Sequence, residues 1–518
     1  MRTLRAFTAA GAAALLASVG TATAAPTPPP APTAQLTDAQ VDTAVRRLDA
    51  TVAEMMRRTG VPGVSVAVVH DDEVLYLKGF GLRRVGDPAT VNPDTVFQVA
   101  SLSKPISSTV VAGVLKAPAD FDRHTELPGF ALKDPWVTSH VTTADLFSHR
   151  SGLPDHAGDL LEDLGYDQAY ILDHLRLAPL SPFRASYAYT NYGFTAAAEA
   201  IARSHGATWQ KLSADTLFKP AGMTHTSTEF QAFVDSPDHA ATHVKTAGPK
   251  GDGAWSPRYV RDPDAQAPAG GVSSTARDMS RWLRLQLSGG TLDGKRIIPA
   301  DTLARTHLPE IVSQPPASPT GRTGFYGMGW NVGYDDAGRL RLSHSGAFEL
   351  GANTSVTMLP LEKLGIVVLT NGAPVGLPDA VAADFFDTAE HGKATTDWLA
   401  LTGALYAQIN AEGRSATDYA RPPTGAKPAG EDSAYTGTYE NPYYGKATVA
   451  ATSEGKLTLS LGPEPMVFPL THYDGDTFSY ETAGENAVGR TGVFFSPADR
   501  TVRIEYLDAD HLGTFTMP

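Results

Sequence analysis

Residues 97–104 read Phe97-Gln98-Val99-Ala100-Ser101-Leu102-Ser103-Lys104, an apolar run that ends in a serine and a lysine three positions apart. Apolar residues continue after it at 110–111 and 114–115, which predicts a buried helix opening at the serine. Side chains three apart share one helix face, with Cβ atoms about 5–6 Å apart, so the amine can reach the hydroxyl. Burial favours a neutral lysine, which can serve as a base. This stretch predicts an activated serine nucleophile.

Two further short motifs supply groups that such a nucleophile needs. Tyr189-Thr190-Asn191 stands in a polar stretch before a second helix candidate, and His344-Ser345-Gly346 adjoins a strand signal. Patterns this short also arise by chance, so none of them identifies a site alone. The chain contains a second match to the serine–lysine pattern, a second to the tyrosine–asparagine pattern and two more to the histidine–glycine pattern: Ser453–Lys456, Tyr439–Asn441, His156–Gly158 and His511–Gly513.

Composition limits the classes of function. The chain has 518 residues, which favours two domains, and 42% of them are hydrophobic, as expected of a globular protein. Its formal net charge of −14 and the lack of a basic run argue against nucleic acid as a partner. With no cysteine, disulfides, thiolate catalysis and attachment of lipid to a cysteine are excluded.

The first 24 residues have the pattern of an export signal. A basic start at Arg2 and Arg5 precedes the apolar stretch 6–20, and Ala22-Thr23-Ala24 offers a cleavage site. The stretch is short for a membrane span and prolines follow it at once, so we expect no stable membrane anchor. Residues 25–37 are a Pro/Ala-rich linker. These features predict a secreted or periplasmic protein.

Periodicity divides the rest of the chain into domains. Residues 38–58 have helical spacing, and the runs 63–69 and 74–80 predict a β-hairpin. Helix candidates follow at 196–202 and 276–287, and strand signals return at 340–343, 354–359 and 365–369. We therefore expect an α/β (α+β) domain over 38–395, in which one antiparallel sheet is flanked by helices and interrupted by a helical insertion.

A change of pattern predicts a second domain at the C-terminus. Residues 396–434 suggest a helix and a linker, and short strand-like runs follow within 435–518. We expect a small all-β domain there, a barrel or a curled sheet. The predicted strands in this domain are 447–450, 456–461, 493–495 and 502–506.

With its three motifs in this order, the sequence resembles the serine β-lactamase and penicillin-binding peptidase family, in its class C-like branch of esterases and D-amino-acid peptidases. The resemblance covers roughly residues 41–390, and the C-terminal segment resembles the lipocalin-like domain appended to some members. The segments that carry it are Gly60–Gly63, Phe97–Ser101, Ser148–Pro154, Pro220–Thr226, Ala269–Thr275 and Tyr326–Trp330.

The resemblance implies a role for each motif residue. Ser101 would attack a carbonyl carbon, and Lys104 and Tyr189 would share general acid–base work. Asn191 would hydrogen-bond the substrate amide and hold Lys104 in place. His344, Gly346 and Ala347 would line the substrate site on an edge strand, with the backbone N–H groups of Ser101 and Ala347 forming the oxyanion hole.

The histidine at position 344 departs from the lysine that many family members carry in this motif. A lysine there is a permanent cation suited to a substrate carboxylate, whereas histidine is largely neutral above about pH 6.5. His344 therefore favours peptidases of D-residues, amidases or esterases over a dedicated β-lactamase or DD-carboxypeptidase. A structural role for His344 as a hydrogen-bonding strand residue is the alternative.

Three functional hypotheses follow from the sequence. The first is a secreted serine hydrolase that cleaves amide bonds in D-amino-acid peptides, amides or β-lactams through an acyl-enzyme on Ser101. The second is a carboxylesterase on the same scaffold, and the third is a non-catalytic β-lactam sensor or penicillin-binding module. The substrate would be a small molecule or peptide of cell-wall type, no cofactor or metal is expected, and the C-terminal domain would narrow the active-site mouth, mediate oligomerisation or only add stability.

Overall fold

The computed structural model describes residues 35–245 and 253–518. The predicted export signal and most of the Pro/Ala-rich linker lie outside the described residues. Among the helices of the described part, none combines the length and the apolar character needed to cross a lipid bilayer.

The helices begin close to the N-terminus and cluster in the middle of the chain. In chain order they are α1 Asp38–Thr59, α2 Ser103–Val114, α3 Pro135–His140, α4 Thr143–Phe147, α5 Asp159–Asp163, α6 Gln168–His174, α7 Asn191–Ser204, α8 Trp209–Ser213, α9 Lys219–Ala221, α10 Phe230–Asp235, α11 Ala267–Gly270, α12 Ala276–Leu287, α13 Ala300–Thr306, α14 Leu377–His391 and α15 Trp398–Ile409.

The strands lie at both ends of this helical region and in the C-terminal part. In chain order they are β1 Gly63–His70, β2 Glu73–Gly81, β3 Phe97–Gln98, β4 Val244–Lys245, β5 Trp255–Ser256, β6 Ser273–Ser274, β7 Thr291–Leu292, β8 Lys295–Arg296, β9 Ile311–Gln314, β10 Gly324–Tyr326, β11 Asn331–Tyr334, β12 Leu340–Phe348, β13 Ala352–Leu359, β14 Leu364–Thr370, β15 Gly437–Asn441, β16 Gly445–Ala451, β17 Leu457–Leu461, β18 Met466–Pro469, β19 Thr471–Asp474, β20 Thr477–Glu481, β21 Arg490–Ser496, β22 Thr501–Ile504 and β23 Thr514–Thr516.

An eight-stranded antiparallel sheet organises the larger domain. Its order is β2-β1-β14-β13-β12-β11-β10-β9, so the first strand pairs with the last one of the domain. Val64 lies opposite Thr370 in that pair. The expectation of one sheet that gathers early and late segments around a helical insertion is therefore confirmed.

Both faces of this sheet are covered, which explains the continuous apolar runs in its central strands. Side chains alternate along β1, so Val64, Val66 and Val68 belong to the core beneath α1 and α14. Ala67 and Val69 belong to the larger core on the opposite face, where α12 packs. The nucleophile segment lies on this second side, among the helices of the insertion.

Local signals explain where the first helix begins and ends. Gln40 Oε1 accepts a hydrogen bond from the backbone N–H of Thr37, 3.0 Å away, and so caps the N-terminus of α1. Gly60 ends the helix with a φ of 73°, a left-handed conformation that glycine adopts without a Cβ penalty. The helix predicted over 38–58 is confirmed, as is the hairpin that follows.

The C-terminal part forms a nine-stranded sheet in the order β18-β17-β16-β15-β23-β22-β21-β20-β19. The two outer strands, β18 and β19, are consecutive in the chain, so the sheet curls until its edges approach each other. Its interior contains Tyr435, Tyr439, Val493 and Phe515, and this core is continuous with that of the larger domain. The expected small all-β domain is confirmed.

Some element boundaries differ from those predicted. The strand expected at 340–343 continues to Phe348, because β12 pairs with β13 along its whole second half. The strand expected at 502–506 ends at Ile504, because residues 505–507 form a 3₁₀ turn. The second serine–lysine match, Ser453–Lys456, lies in the turn between β16 and β17, so it carries no site.

Candidate active site

The nucleophile segment is held on two sides before the helix begins. Its strand β3 pairs with β6, and residues 100–102 form a 3₁₀ turn that leads into α2. Ala100 has a φ of 49°, a left-handed conformation uncommon for a residue with a Cβ. Ser103 Oγ donates to the carbonyl of Ala100 over 2.7 Å and accepts from the N–H of Val272 over 2.9 Å. These bonds fix the turn and leave Ser101 partly exposed at its tip.

Lys104 lies fully buried one turn below the serine. Its Nζ is 3.2 Å from Ser101 Oγ, 2.7 Å from Asn191 Oδ1 and 3.1 Å from the carbonyl oxygen of Ala269. Burial lowers the pKa of Lys104 to about 7, although the Asp159 carboxylate opposes the shift. A substantial fraction of the amine is therefore neutral near pH 7 and able to accept a proton.

Tyr189 approaches the same serine from the loop before α7. Its backbone is fixed by two bonds, from its N–H to Asp155 Oδ1 over 2.7 Å and from the N–H of His156 to its carbonyl over 2.7 Å. The ring centroid of Tyr189 is 4.5 Å from Lys104 Nζ, and the Ser101 side chain lies close enough to the phenol to oppose the rise in its pKa. Burial raises the pKa of Tyr189 well above 10, so the phenol is protonated at neutral pH. The structure thus places hydroxyl, amine and phenol in one site.

His344 stands on β12 with both ring nitrogens occupied. Its Nδ1 contacts the carbonyl oxygen of Ser345 at 2.8 Å, and its Nε2 lies 2.9 Å from the Tyr326 hydroxyl. Burial, together with the charge of Lys104, lowers the pKa of His344 to about 3. The imidazole is therefore neutral and accepts a hydrogen bond from Tyr326. His344 supplies no cation to this site at neutral pH.

Gly346 brings strand β12 against the nucleophile turn. A Cβ at this position would lie 2.3 Å from the carbonyl oxygen of Val99 and 3.1 Å from the N–H nitrogen of Ser101. Only a residue without a side chain permits this approach. Strand β11 pairs with residues 340–343 alone, so among the described strands none pairs with the Ser345–Phe348 half on that side. Ala347 therefore lies on an open strand edge, next to the glycine that approaches Ser101.

Several residues of the site were not predicted individually. His149, Tyr326 and Asp159 contact the predicted site residues Tyr189, His344 and Asn191 respectively, and two of the three stand in segments that carry the family resemblance. The ring of His149 is 4.4 Å from that of Tyr189 and 4.8 Å from that of Tyr326, measured between centroids. Burial lowers the pKa of His149 well below 6.5, so it is neutral. The segments that carry the family resemblance contain His149 and Tyr326 and could have identified them, whereas Asp159 lies in no recognised motif.

The C-terminal domain docks close to this site. Glu485 accepts hydrogen bonds from the N–H groups of Glu349 and Leu350, directly after β12, at 2.7 and 3.2 Å. Its Oε1 is also 3.1 Å from Nη1 of Arg261, whose side chain is 10% exposed. On α5, Asp163 accepts from the backbone N–H groups of Glu485 and Asn486. The end of β12 is thus held by a residue of the second domain.

One group of possible metal ligands occurs in the described residues, and it is remote from the site in sequence. Asp38, His70 and Asp71 offer ligand atoms within 4.8 Å of one another at the start of α1 and at the β1–β2 turn. The Lys363 ammonium lies 3.2 Å from Asp71 Oδ1 and balances part of its charge. None of these residues contributes to the site around Ser101.

Comparison with known proteins agrees with this geometry. A family model described as Beta-lactamase matches residues 48–386, and one described as Domain of unknown function (DUF3471) matches residues 421–510. The chain is 25% identical over 524 residues to "Unguisins hydrolase ungD" of Aspergillus violaceofuscus, covering 89% of this chain and 88% of that protein. It is 29% identical over 339 residues to "Penicillin-binding protein 4" of Amycolatopsis lactamdurans, covering 63% of this chain and 83% of that protein.

A solved structure shares the fold. It is the octameric penicillin-binding protein homologue from Pyrococcus abyssi, which matches 89% of this chain and 98% of its own with a TM-score of 0.56 and 18% identity. At that identity the likeness bears on the fold alone. The family model, by contrast, spans more than half of the chain, and it includes Ser101, Lys104, Tyr189 and His344. The chain therefore belongs to the beta-lactamase family, the serine β-lactamase and penicillin-binding protein group that its motifs predicted.

Proposed function

We propose that this protein is a secreted serine hydrolase that cleaves amide bonds through a covalent acyl-enzyme on Ser101. The observation that carries the proposal is the contact of one serine hydroxyl with two groups of complementary proton affinity. Lys104 Nζ lies 3.2 Å from Ser101 Oγ, and the protonated Tyr189 phenol lies beside the same side chain. A nucleophile within reach of a base and an acid is the arrangement that acyl transfer requires.

In the first half-reaction, Ser101 Oγ attacks the substrate carbonyl carbon while Lys104 takes its proton. The tetrahedral oxyanion would be stabilised by the backbone N–H groups of Ser101 and Ala347, each worth about 2.7–4 kcal/mol in comparable enzymes. Tyr189 then passes its proton to the leaving nitrogen and recovers one from Lys104. The carbon–nitrogen bond breaks, an amine leaves, and the acyl group stays on Ser101 as an ester.

In the second half-reaction, water replaces the amine. Lys104 and Tyr189 remove a proton from water, its oxygen attacks the ester carbon, and the proton returns to Ser101 Oγ as the carbon–oxygen bond breaks. The products are a carboxylic acid and the free enzyme. The same two groups therefore serve both half-reactions with no net change in protonation.

The neutral His344 bears on the choice of substrate. With both ring nitrogens bonded and a pKa of about 3, it provides no charge for a substrate carboxylate. Peptides or amides of D-residues without a carboxylate at that point fit better than β-lactams or peptides ending in D-alanyl-D-alanine. The relative described as an unguisins hydrolase, matched over 89% of this chain, supports a hydrolytic role.

A carboxylesterase on the same scaffold is the second candidate, and the neutral state of His344 favours it as well. An ester substrate also lacks a charge next to the scissile carbonyl, and an alkoxide leaves more readily than an amide nitrogen. The third hypothesis, a penicillin-binding sensor, would use the first half-reaction and stall before the second.

One set of assays separates these candidates. The protein, produced as residues 25–518, is incubated with nitrocefin, a D-alanyl-D-alanine peptide, a D-alanine anilide and a p-nitrophenyl ester, and separately with a labelled penicillin, beside a Ser101→Ala variant. We expect turnover of the anilide that Ser101→Ala abolishes, and an acyl adduct on the Ser101 peptide in mass spectrometry. Turnover of the ester alone would establish the esterase, and a persistent penicillin adduct without turnover would establish the sensor. If turnover survives in Ser101→Ala, the proposal is wrong.

Export and oligomer formation are further parts of the proposal. The first 24 residues carry the pattern of an export signal, so we expect a mature N-terminus at Ala25 when the full chain is expressed in a secreting host. N-terminal sequencing of the secreted product checks this. Light scattering on the purified protein, with and without residues 435–518, tests assembly through the C-terminal domain.

A further inference from the structure

Behind Lys104, a chain of hydrogen bonds leads to two residues that the proposed mechanism does not use. Asn191 Oδ1 accepts from Lys104 Nζ over 2.7 Å, and Asn191 Nδ2 donates to Asp159 Oδ2 over 2.8 Å. The same carboxylate oxygen is 2.7 Å from Nδ1 of His156. Asp159 is the first residue of α5 and is 3% exposed. It lies two hydrogen bonds away from the proposed base.

The number of hydrogens on a neutral amine explains why this series of hydrogen bonds matters. A neutral lysine amine has two N–H bonds and one lone pair. Two of the three partners of Lys104 Nζ, the Asn191 amide oxygen and the Ala269 carbonyl oxygen, can only accept hydrogen bonds. They take both hydrogens. The lone pair is then left facing the third partner, Ser101 Oγ, at 3.2 Å. This is the geometry in which the amine can accept the serine proton.

The orientation of the Asn191 amide decides whether this geometry holds. The two ends of an amide have nearly the same shape, but one accepts and the other donates. If the group were turned over, Nδ2 would face Lys104, and one amine hydrogen would lose its acceptor. An ionised carboxylate can only accept, so Asp159 requires the donating end of Asn191 to face it.

We propose that Asp159 is a positioning residue that locks the Asn191 amide and thereby directs the lone pair of Lys104 at Ser101. The proposal rests on the function proposed above, since it concerns how the base of that reaction is held. Asp159 does not touch the reacting atoms; it acts through Asn191. His156 stabilises the arrangement from the solvent side, where its side chain is 53% exposed.

The charge of Asp159 gives the proposal a second measurable consequence, a change in the pKa of Lys104. Its carboxylate raises the pKa of Lys104 against the larger effect of burial, and Arg261 lowers it. Partial desolvation opposes protonation of His156, but the bond to Asp159 and the Asp155 carboxylate 3.8 Å from its Nε2 raise the pKa of this imidazole to about 9, so it is a cation beside the Asp159 carboxylate. Other titratable or charged groups face Lys104 and Asp159. Around Lys104 they are His149, Tyr189 and His344, and around Asp159 they are Glu162, Tyr192, Arg261 and Tyr443.

Asp159→Asn tests both parts at once. The variant keeps the shape of the side chain but removes its negative charge. An asparagine amide can also donate a hydrogen bond, so it no longer requires the donating end of Asn191 to face it. We expect kcat to fall roughly tenfold to a hundredfold, as for a misplaced catalytic group, with KM changed less than about threefold. The acidic limb of the pH profile of kcat/KM should move to lower pH, because Lys104 loses the carboxylate that favours its charged form. Asp173→Asn, a partly exposed acid on α6, is the matched control.

His156→Gln provides the opposite shift. The glutamine can still donate to Asp159 but carries no positive charge, so the acidic limb should move to higher pH. This variant alters a half-exposed side chain and tests the proposal even if Asp159→Asn fails to fold. Thermal denaturation of each variant separates positioning from a loss of structure.

The positioning role of Asp159 can fail while the proposed hydrolase function holds, and the experiments distinguish the two failures. If wild-type protein turns over a substrate and Asp159→Asn has the same kcat and pH profile, the positioning role is overturned while the hydrolase stands. A fall in kcat with an unmoved acidic limb and a lowered melting temperature also overturns it. If wild-type protein forms no adduct on Ser101 and has no turnover, the proposed function fails and the positioning role falls with it. A lowered kcat with opposite shifts of the acidic limb supports the role.

Discussion

The Tyr326 hydroxyl lies 2.9 Å from Nε2 of His344 and holds this imidazole as a hydrogen-bond acceptor within the site. The two residues stand on β10 and β12, with β11 between them in the sheet. Because Nδ1 is also engaged, the ring can neither turn freely nor take up a proton without losing the bond. Five predictions concern this pair, the base, strand β12 and, twice, the contact between domains.

Tyr326→Phe removes the donor and leaves the buried Nε2 without its partner. Such a loss costs about 1–3 kcal/mol, so the free energy of unfolding should fall by that amount in urea denaturation. The pKa of His344 should rise from about 3, since the hydrogen bond that favours the neutral ring is gone. NMR titration of the imidazole measures this. Tyr334→Phe, at an exposed position of β11, should alter neither quantity; an unchanged pKa in Tyr326→Phe would refute the assignment.

The pKa of about 7 at Lys104 predicts the pH dependence of activity. Below that pH the amine is protonated and cannot accept the serine proton, so kcat/KM should rise with unit slope and level off above about pH 7. Stopped assays with the best substrate between pH 5 and 9 measure the profile. Lys104→Arg keeps a permanent charge and should reduce kcat by about 10²–10⁴ across the range. A flat wild-type profile through pH 7 would show that another group is the base.

Gly346→Ala should separate strand β12 from the nucleophile turn. The new Cβ would lie 2.3 Å from the carbonyl oxygen of Val99 and 2.4 Å from Oγ1 of Thr354, so the strand has to shift. A displacement on the order of 1 Å costs about a hundredfold in rate, and we expect kcat to fall by that factor. Gly333→Ala on β11 is the matched control, because its Cβ would meet no atom within 4 Å. Equal activity of the two variants would exclude a role for this approach.

Glu485→Ala should loosen the contact between the two domains. It removes the acceptor of the Glu349 and Leu350 N–H groups and one of the partners of Arg261. We expect the free energy of unfolding to fall by about 1–3 kcal/mol, together with a rise in KM as the end of β12 gains freedom. Glu481→Ala, on the exposed side of β20, is the control. Denaturation in urea and steady-state kinetics measure the two effects, and a stability equal to that of Glu481→Ala would contradict the assignment.

The same glutamate contributes a pH-dependent part of stability. Burial raises its pKa from 4.5 to about 7 in the folded protein. The folded chain therefore holds this proton between those values while the unfolded chain releases it, and the contribution of the site falls as pH rises from 4.5 to 7. Glu485→Gln, which cannot ionise, should remove that decline from the stability profile.

Much of the fold and of the proposed nucleophile site could be predicted from sequence, because both depend on local patterns. The apolar run of β1 and the helical spacing of α1 are visible within single segments, and Ser101 and Lys104 are neighbours on one helical turn. Tyr189 and His344 came from ordered motifs and family resemblance. Their convergence in space was an expectation that only coordinates could examine.

The remaining site residues depend on packing that no local pattern encodes. Tyr326 contacts His344 only because β10, β11 and β12 lie in register, and Asp159 contacts Asn191 only because α5 is folded against α7. Asp159 is one of 56 acidic residues in the chain. The histidine–glycine match at His156–Gly158 is too short to identify a site, and no motif marks the acid that follows it.

The pairing of β1 with β14 also bears on how the chain is made. A strand near the start of the domain gains its central partner only after roughly 300 further residues have been synthesised, and such distant contacts slow folding. At about 5–20 residues per second, the ribosome needs on the order of 15–60 s to deliver that partner. Until then the β1–β2 hairpin has no cover on its inner edge and the main sheet stays incomplete. A nascent chain that closes its sheet this late stays unfolded for longer, which is what the export proposed above would require.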